Sequence, residues 1–156
     1  MRQINPLEGM IKFQTDRLLD KQNFEWDNEA VNIMEELLEA KGYDVPKDKR
    51  AALKEKFLNF IENIVNDLNL KQKEPSTEDK LDAFCDIAEF AIGAILKLGY
   101  DPYCALNEMQ KHINSRTGKI INGKFVKDTN IKTYKPNYKE CKMDNSKGSK
   151  NELFTK

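Results

Sequence analysis

Net charge is the first thing this chain lacks. It has 26 lysines and arginines and 26 aspartates and glutamates, so the sum is zero at neutral pH. A neutral chain builds no global field to attract nucleic acid, and no recognition motif is present, so nucleic acid is not an expected partner. Cysteine is scarce. Cys85, Cys104 and Cys141 are odd in number and match no zinc spacing. They read as free thiols in a reducing compartment. No apolar run approaches about 18 residues and no signal-peptide pattern opens the chain, so a soluble, cytoplasmic protein with no membrane partner is expected. There is no internal repeat. The single histidine, His112, lies near a helix end, where a surface or core filler is expected rather than a base.

What is present is helical periodicity. The 156 residues fit one domain, residues 1–140, followed by a disordered tail, 141–156. Pro6 opens a first helix that runs to about Asp20, with Leu7, Met10, Ile11, Leu18 and Leu19 as its apolar stripe. A second runs from about Asp27 to Lys41 and stops at Gly42; Val31, Met34, Leu37, Leu38 and Lys41 trace its inner face. The third covers roughly Lys49 to Leu68. After a polar connector ending at Pro75, Ser76 or Thr77 caps a fourth helix, with Glu78 and Asp79 in its positive first turn. That helix runs to about Leu98, stops at Gly99 and is apolar on most sides, as expected in the middle of a bundle. Asp101-Pro102 starts a fifth, reaching about Asn114. Beyond it the chain reads as basic and irregular, with a turn between Gly118 and Gly123. The expected fold is an all-α bundle of about five helices, completed by oligomerisation to a homodimer or homotetramer.

Two acidic patterns carry the chemistry. Glu36 and Glu39 are three apart on the second helix and share a face, with Glu35 about 100° away. Asp79, Asp82, Asp86 and Glu89 line one stripe of the fourth helix. Acids on an apolar central helix are expensive unless something positive sits among them. Mg2+, or Mn2+, answers that need, because hard cations take carboxylate oxygens. The alternative is a solvated acidic face.

The pattern Glu35-Glu36-x-x-Glu39 followed by an acidic pair on a later helix resembles the all-α nucleoside triphosphate pyrophosphatases, in particular the MazG-like, phosphoribosyl-ATP-pyrophosphohydrolase-like proteins of phages and bacteria. The stretch that carries the resemblance is Leu81-Asp-Ala-Phe-Cys-Asp86, Gly93, Leu98-Gly-Tyr-Asp101-Pro, Glu108, Ile113-Asn-Ser-Arg116, Gly118-Lys119 and Gly123-Lys124-Phe-Val-Lys127. The resemblance covers roughly residues 7–140. It implies an enzyme that cleaves (d)NTP to (d)NMP and pyrophosphate with Mg2+. Glu36, Glu39, Asp82 and Asp86 would hold the metal, and Glu35 or Glu36 would activate a water. In the second motif the family's glutamate position falls on Ala83 here, so Asp79-x-x-Asp82 is the other alignment. Arg116, Lys119, Lys124 and Lys127 would bind the polyphosphate; the alternative is a basic surface loop. Phe13 and Gln14 resemble a first-helix pair near the base pocket. Phe24 and Trp26 read as a helix-start staple, with base stacking as the alternative. Cys85 reads as a buried packing residue. The competing function is an inactive nucleotide-binding or regulatory module of the same fold.

Overall fold

The computed structural model describes residues 5–121, 124–128 and 130–143. The fold is mostly helical: α1 Pro6–Asp16, α2 Trp26–Ala40, α3 Arg50–Asp67, α4 Thr77–Lys97 and α5 Pro102–Asn114. Two short strands follow, β1 Gly118–Ile121 and β2 Lys124–Lys127, paired antiparallel. The sequence alone predicts an irregular stretch here. With four residues per strand and lysines interspersed, alternation has no room to become a signal. The expected disordered tail lies outside the described residues from 144 onward. Where one domain was expected, the chain divides into two compact units, Asn23–Pro75 and Met1–Gln22 with Ser76–Lys156.

In the first of these units α2 packs against α3. Val31 is 1% exposed, and Met34 and Leu38 are half-buried beside it in sequence, while Leu37 from the expected inner face is exposed. Gly42 ends α2 as anticipated, at φ 95°, with the Gly42 N–H donating to the Glu39 carbonyl at 2.9 Å and the Tyr43 N–H to Leu38 at 2.9 Å. That left-handed turn favours glycine.

In the other unit α1 packs on α5. Gly9 is buried against α5: its carbonyl accepts from the Asn114 side-chain amide at 3.4 Å, and a Cβ on it would overlap the Gln110 side chain. Close approach at a glycine turns the helix, so Leu7, Ile11 and Leu18 of the expected stripe face solvent. The helix also ends earlier than expected: Leu18 adopts φ 54°, and a 3-10 turn, Leu19–Lys21, follows. Ser76 and Asp79 form a reciprocal capping box that opens α4, and Gly99 at φ 82° closes it. In the single chain much of α4 is uncovered: Leu81 is 63% exposed, Phe90 69% and Leu98 74%.

The cysteine reading is also corrected. Cys104 and Cys141 form a disulfide, and Cys85 is exposed rather than buried. The thiols 37 residues apart are brought together because residues 130–143 return along α5. The Asp101 N–H donates to the Cys141 carbonyl and the Met143 N–H to Gly99, both at 2.8 Å, so the docked segment extends past the boundary expected at 140. His112 belongs to the same seam, its Nδ1 lying 2.5 Å from the Tyr134 carbonyl.

Glu108 anchors the return. It is 8% exposed and accepts hydrogen bonds from the Asn137 N–H at 2.7 Å, the Lys111 Nζ at 2.5 Å and the Tyr134 hydroxyl at 2.6 Å. These donors, led by the Asn137 amide, lower its pKa to about 2 from the ordinary 4.5. A carboxylate whose pKa is depressed on folding stabilises above its unfolded pKa, and that stabilisation is lost as pH falls through the folded one. The docked segment should therefore loosen as pH falls from about 4.5 towards 2. Amide exchange at Asn137 reads this directly: wild type should lose protection across that window, and Glu108→Gln should show weakened protection already at pH 7 with no such acid transition.

Candidate metal and phosphate sites

The acids of α2 differ in what they touch. Glu35 forms an ion pair with Arg50 of α3, and the same guanidinium bonds Asn32. Lys54, one turn on, bonds Asn28 at 2.8 Å and lies 4.0 Å from Asp27. Glu35 is therefore part of the seam that joins α2 to α3. Glu36 and Glu39 are exposed, and the side chain of neither makes a hydrogen bond or ion pair among the described residues.

On α4, Asp79 is committed to the cap: its carboxylate accepts the Ser76 N–H at 2.9 Å. Asp82 and Asp86 lie one turn apart, are exposed, and have no partner among the described residues. In water their mutual repulsion is screened, so the desolvation argument does not apply to the single chain. Glu36 and Glu39 belong to the unit of residues 23–75, Asp82 and Asp86 to the other. Among the described residues no three His, Cys, Asp or Glu side chains gather closely enough to hold a metal ion.

The basic residues are separated by the hairpin. Gly118 pairs with Lys127 and Lys119 with Val126, so Lys119 and Lys127 fall on opposite faces of the ribbon. A Cβ on Gly118 would overlap the Val126 carbonyl oxygen, so the ribbon closes tightly only with glycine there. The side chain of Lys124 lies outside the described residues, as do Asn122 and Gly123. Arg116 is half-buried just before β1.

One residue at this end had no role in the sequence reading. The Arg17 guanidinium lies 4.0 Å from the centre of the Phe13 ring and 4.8 Å from that of Phe125, and the two rings meet edge to face at 5.6 Å. Its Nη2 donates to the Arg116 carbonyl at 3.0 Å and its Nη1 to the Phe13 carbonyl at 3.4 Å. Arg17 thus ties the end of α1 to the hairpin. The spacing of Phe13 and Arg17, four residues apart on a helix, is a signal that could have been read; Phe125 could not. Phe13 is used in this packing. Phe24 and Trp26 both remain substantially exposed at the start of α2.

No family model, curated protein or solved structure matches the chain.

Proposed function

We propose that the chain is a Mg2+-dependent nucleoside triphosphate pyrophosphohydrolase, releasing a nucleoside monophosphate and pyrophosphate. The observation that carries this reading is the pair of carboxylate sets that have no cationic side-chain partner among the described residues, Glu36 with Glu39 and Asp82 with Asp86. Their donor chemistry fits a hard cation, and these four are the proposed ligands. Bound Mg2+ would supply charge neutralisation at phosphate oxygens and a water of lowered pKa. Glu35 is engaged by Arg50, so Glu36 is the better group to accept the water's proton. Arg116, Lys119, Lys124 and Lys127 are the proposed phosphate contacts. Pyrophosphate release from nucleoside triphosphates, with and without Mg2+, is the test.

The proposed assembly is a homodimer or homotetramer. Leu81, Phe90 and Leu98 expose apolar surface along α4 that a second copy would cover. Light scattering at micromolar concentration should give at least twice the 18.1 kDa chain mass; a monomer would contradict it. One observation favours a second reading. Because no three potential ligands converge among the described residues, a nucleotide-binding regulatory module without turnover is the competing function.

A further inference from the structure

Residues 130–143 are held on α5 by two kinds of bond. The first is non-covalent: the Glu108 carboxylate accepts from the Tyr134 hydroxyl at 2.6 Å and from the Asn137 N–H at 2.7 Å. A few residues on, the 3-10 turn Tyr138–Cys141 is held by the Cys104–Cys141 disulfide. Little else fixes that turn. Only Cys141 among its side chains is buried, at 2% exposed, while Tyr138 remains 43% exposed. Two backbone bonds flank it, from the Asp101 N–H to the Cys141 carbonyl and from the Met143 N–H to the Gly99 carbonyl. Each contributes little net stability, because water replaces it when the turn lifts.

The two cysteines differ in access. Cys141 is buried, whereas Cys104, in the first turn of α5, is half-buried, so a reductant approaches from the Cys104 side. The exchange balances with a dithiol. One of its thiolates attacks the Cys104 Sγ and a mixed disulfide forms. The Cys104–Cys141 bond breaks, and its electron pair leaves on the Cys141 Sγ, which takes up a proton. The second thiolate of the dithiol then attacks its partner sulfur in the mixed disulfide, and Cys104 leaves as a thiolate and is protonated. The chain gains two electrons and two protons, and the dithiol becomes a disulfide. The reverse exchange recloses the bond.

Opening the bond has a local consequence. A cavity of about 370 Å3 is lined by Ile95 and Leu98 from the end of α4 and by Leu106 and Met109 of α5, and Tyr138 of the turn forms part of its wall. We propose that the Cys104–Cys141 disulfide is a redox latch: a dithiol reductant frees the turn Tyr138–Cys141 and opens this apolar cavity, while the Glu108 contacts keep the segment tethered. Glu108 sits one helical turn beyond Cys104, so the tether keeps both thiols in one short loop. Reclosure is then intramolecular, and the latch is reversible. None of this depends on the nucleotide reading.

The test follows the full chain with and without dithiothreitol. On reduction, amide exchange at Asp101 and Met143 should quicken at least tenfold more than at Asn137, whose N–H bonds Glu108. The methyl signal of Met109 should shift, and that of Met34, in the unit of residues 23–75, should not. Oxidised dithiothreitol should restore both readings. Cys104→Ala should show the open pattern throughout and no response to the dithiol. Alkylation after equilibration in glutathione mixtures should count one thiol, Cys85, at the oxidised end and all three cysteines at the reduced end. A bond that survives excess reduced glutathione is a permanent staple and overturns the switch. Unchanged exchange after reduction overturns the latch, because the turn then stays shut without the bond. Equal quickening at Asp101, Met143 and Asn137 overturns it too, because the tether then leaves with the turn.

Discussion

Replacing Asp86 by asparagine should cut Mg2+-dependent pyrophosphate release by at least about a hundredfold, since losing even an outer partner of a metal ligand costs up to about that much. Glu39→Gln should do the same. Neither change should disturb the apo fold. Both carboxylates are exposed and unpartnered among the described residues, so the expected stability change is within about 0.5 kcal/mol. Mg2+ at about a hundred times its dissociation constant should stabilise the wild type by about 2.7 kcal/mol, and the variants by less. Asp79→Asn separates the two alignments of the second motif. It removes a reciprocal cap from α4, so it should lower apo stability by about 1 kcal/mol while leaving activity largely intact. If Asp79→Asn abolishes hydrolysis and Asp86→Asn does not, the metal set is Asp79 with Asp82.

Reducing the Cys104–Cys141 disulfide should destabilise the unit that contains α5 by about 4 kcal/mol, from the entropy of opening a loop of 37 residues. In a unit of this size that lowers the melting temperature by on the order of 20 °C. Cys141→Ser should reproduce the loss, because it also places a hydroxyl at a site only 2% exposed. Cys85→Ser, at an exposed free thiol, should change nothing. Thermal melts with and without a small dithiol give the answer. A reduced wild type that melts with the oxidised one would mean that the contacts of Glu108, Asp101 and Met143 hold residues 130–143 on their own.

The helices were legible because their signals are local. Pro6, Ser76 and Asp101-Pro102 mark starts, and Gly42 and Gly99 mark stops, and each does so through its own backbone preference. What was not legible depends on long-range partners. The inward face of α1 is set by how closely Gly9 lets α5 approach, which no periodicity reports. The disulfide joins cysteines 37 positions apart, and an odd cysteine count argued against any bridge. The apolarity of α4 shows that a surface needs covering, but not what covers it. At the candidate sites, acid spacing was visible, but Arg50 as the partner of Glu35 was not, because the ion pair links residues 15 apart across a helical hairpin. Arg17 was missed for the same reason, since one of its two rings comes from β2.

The most direct measurement is pyrophosphate release from the eight common (d)NTPs and dUTP by the full chain, with Mg2+ and with chelator. A pyrophosphohydrolase of the proposed kind yields nucleoside monophosphate and pyrophosphate in equal amounts from at least one of them, only with Mg2+, and loses that activity in Glu39→Gln. No release from any of the nine, or release that continues in chelator or in both Glu39→Gln and Asp86→Asn, contradicts it.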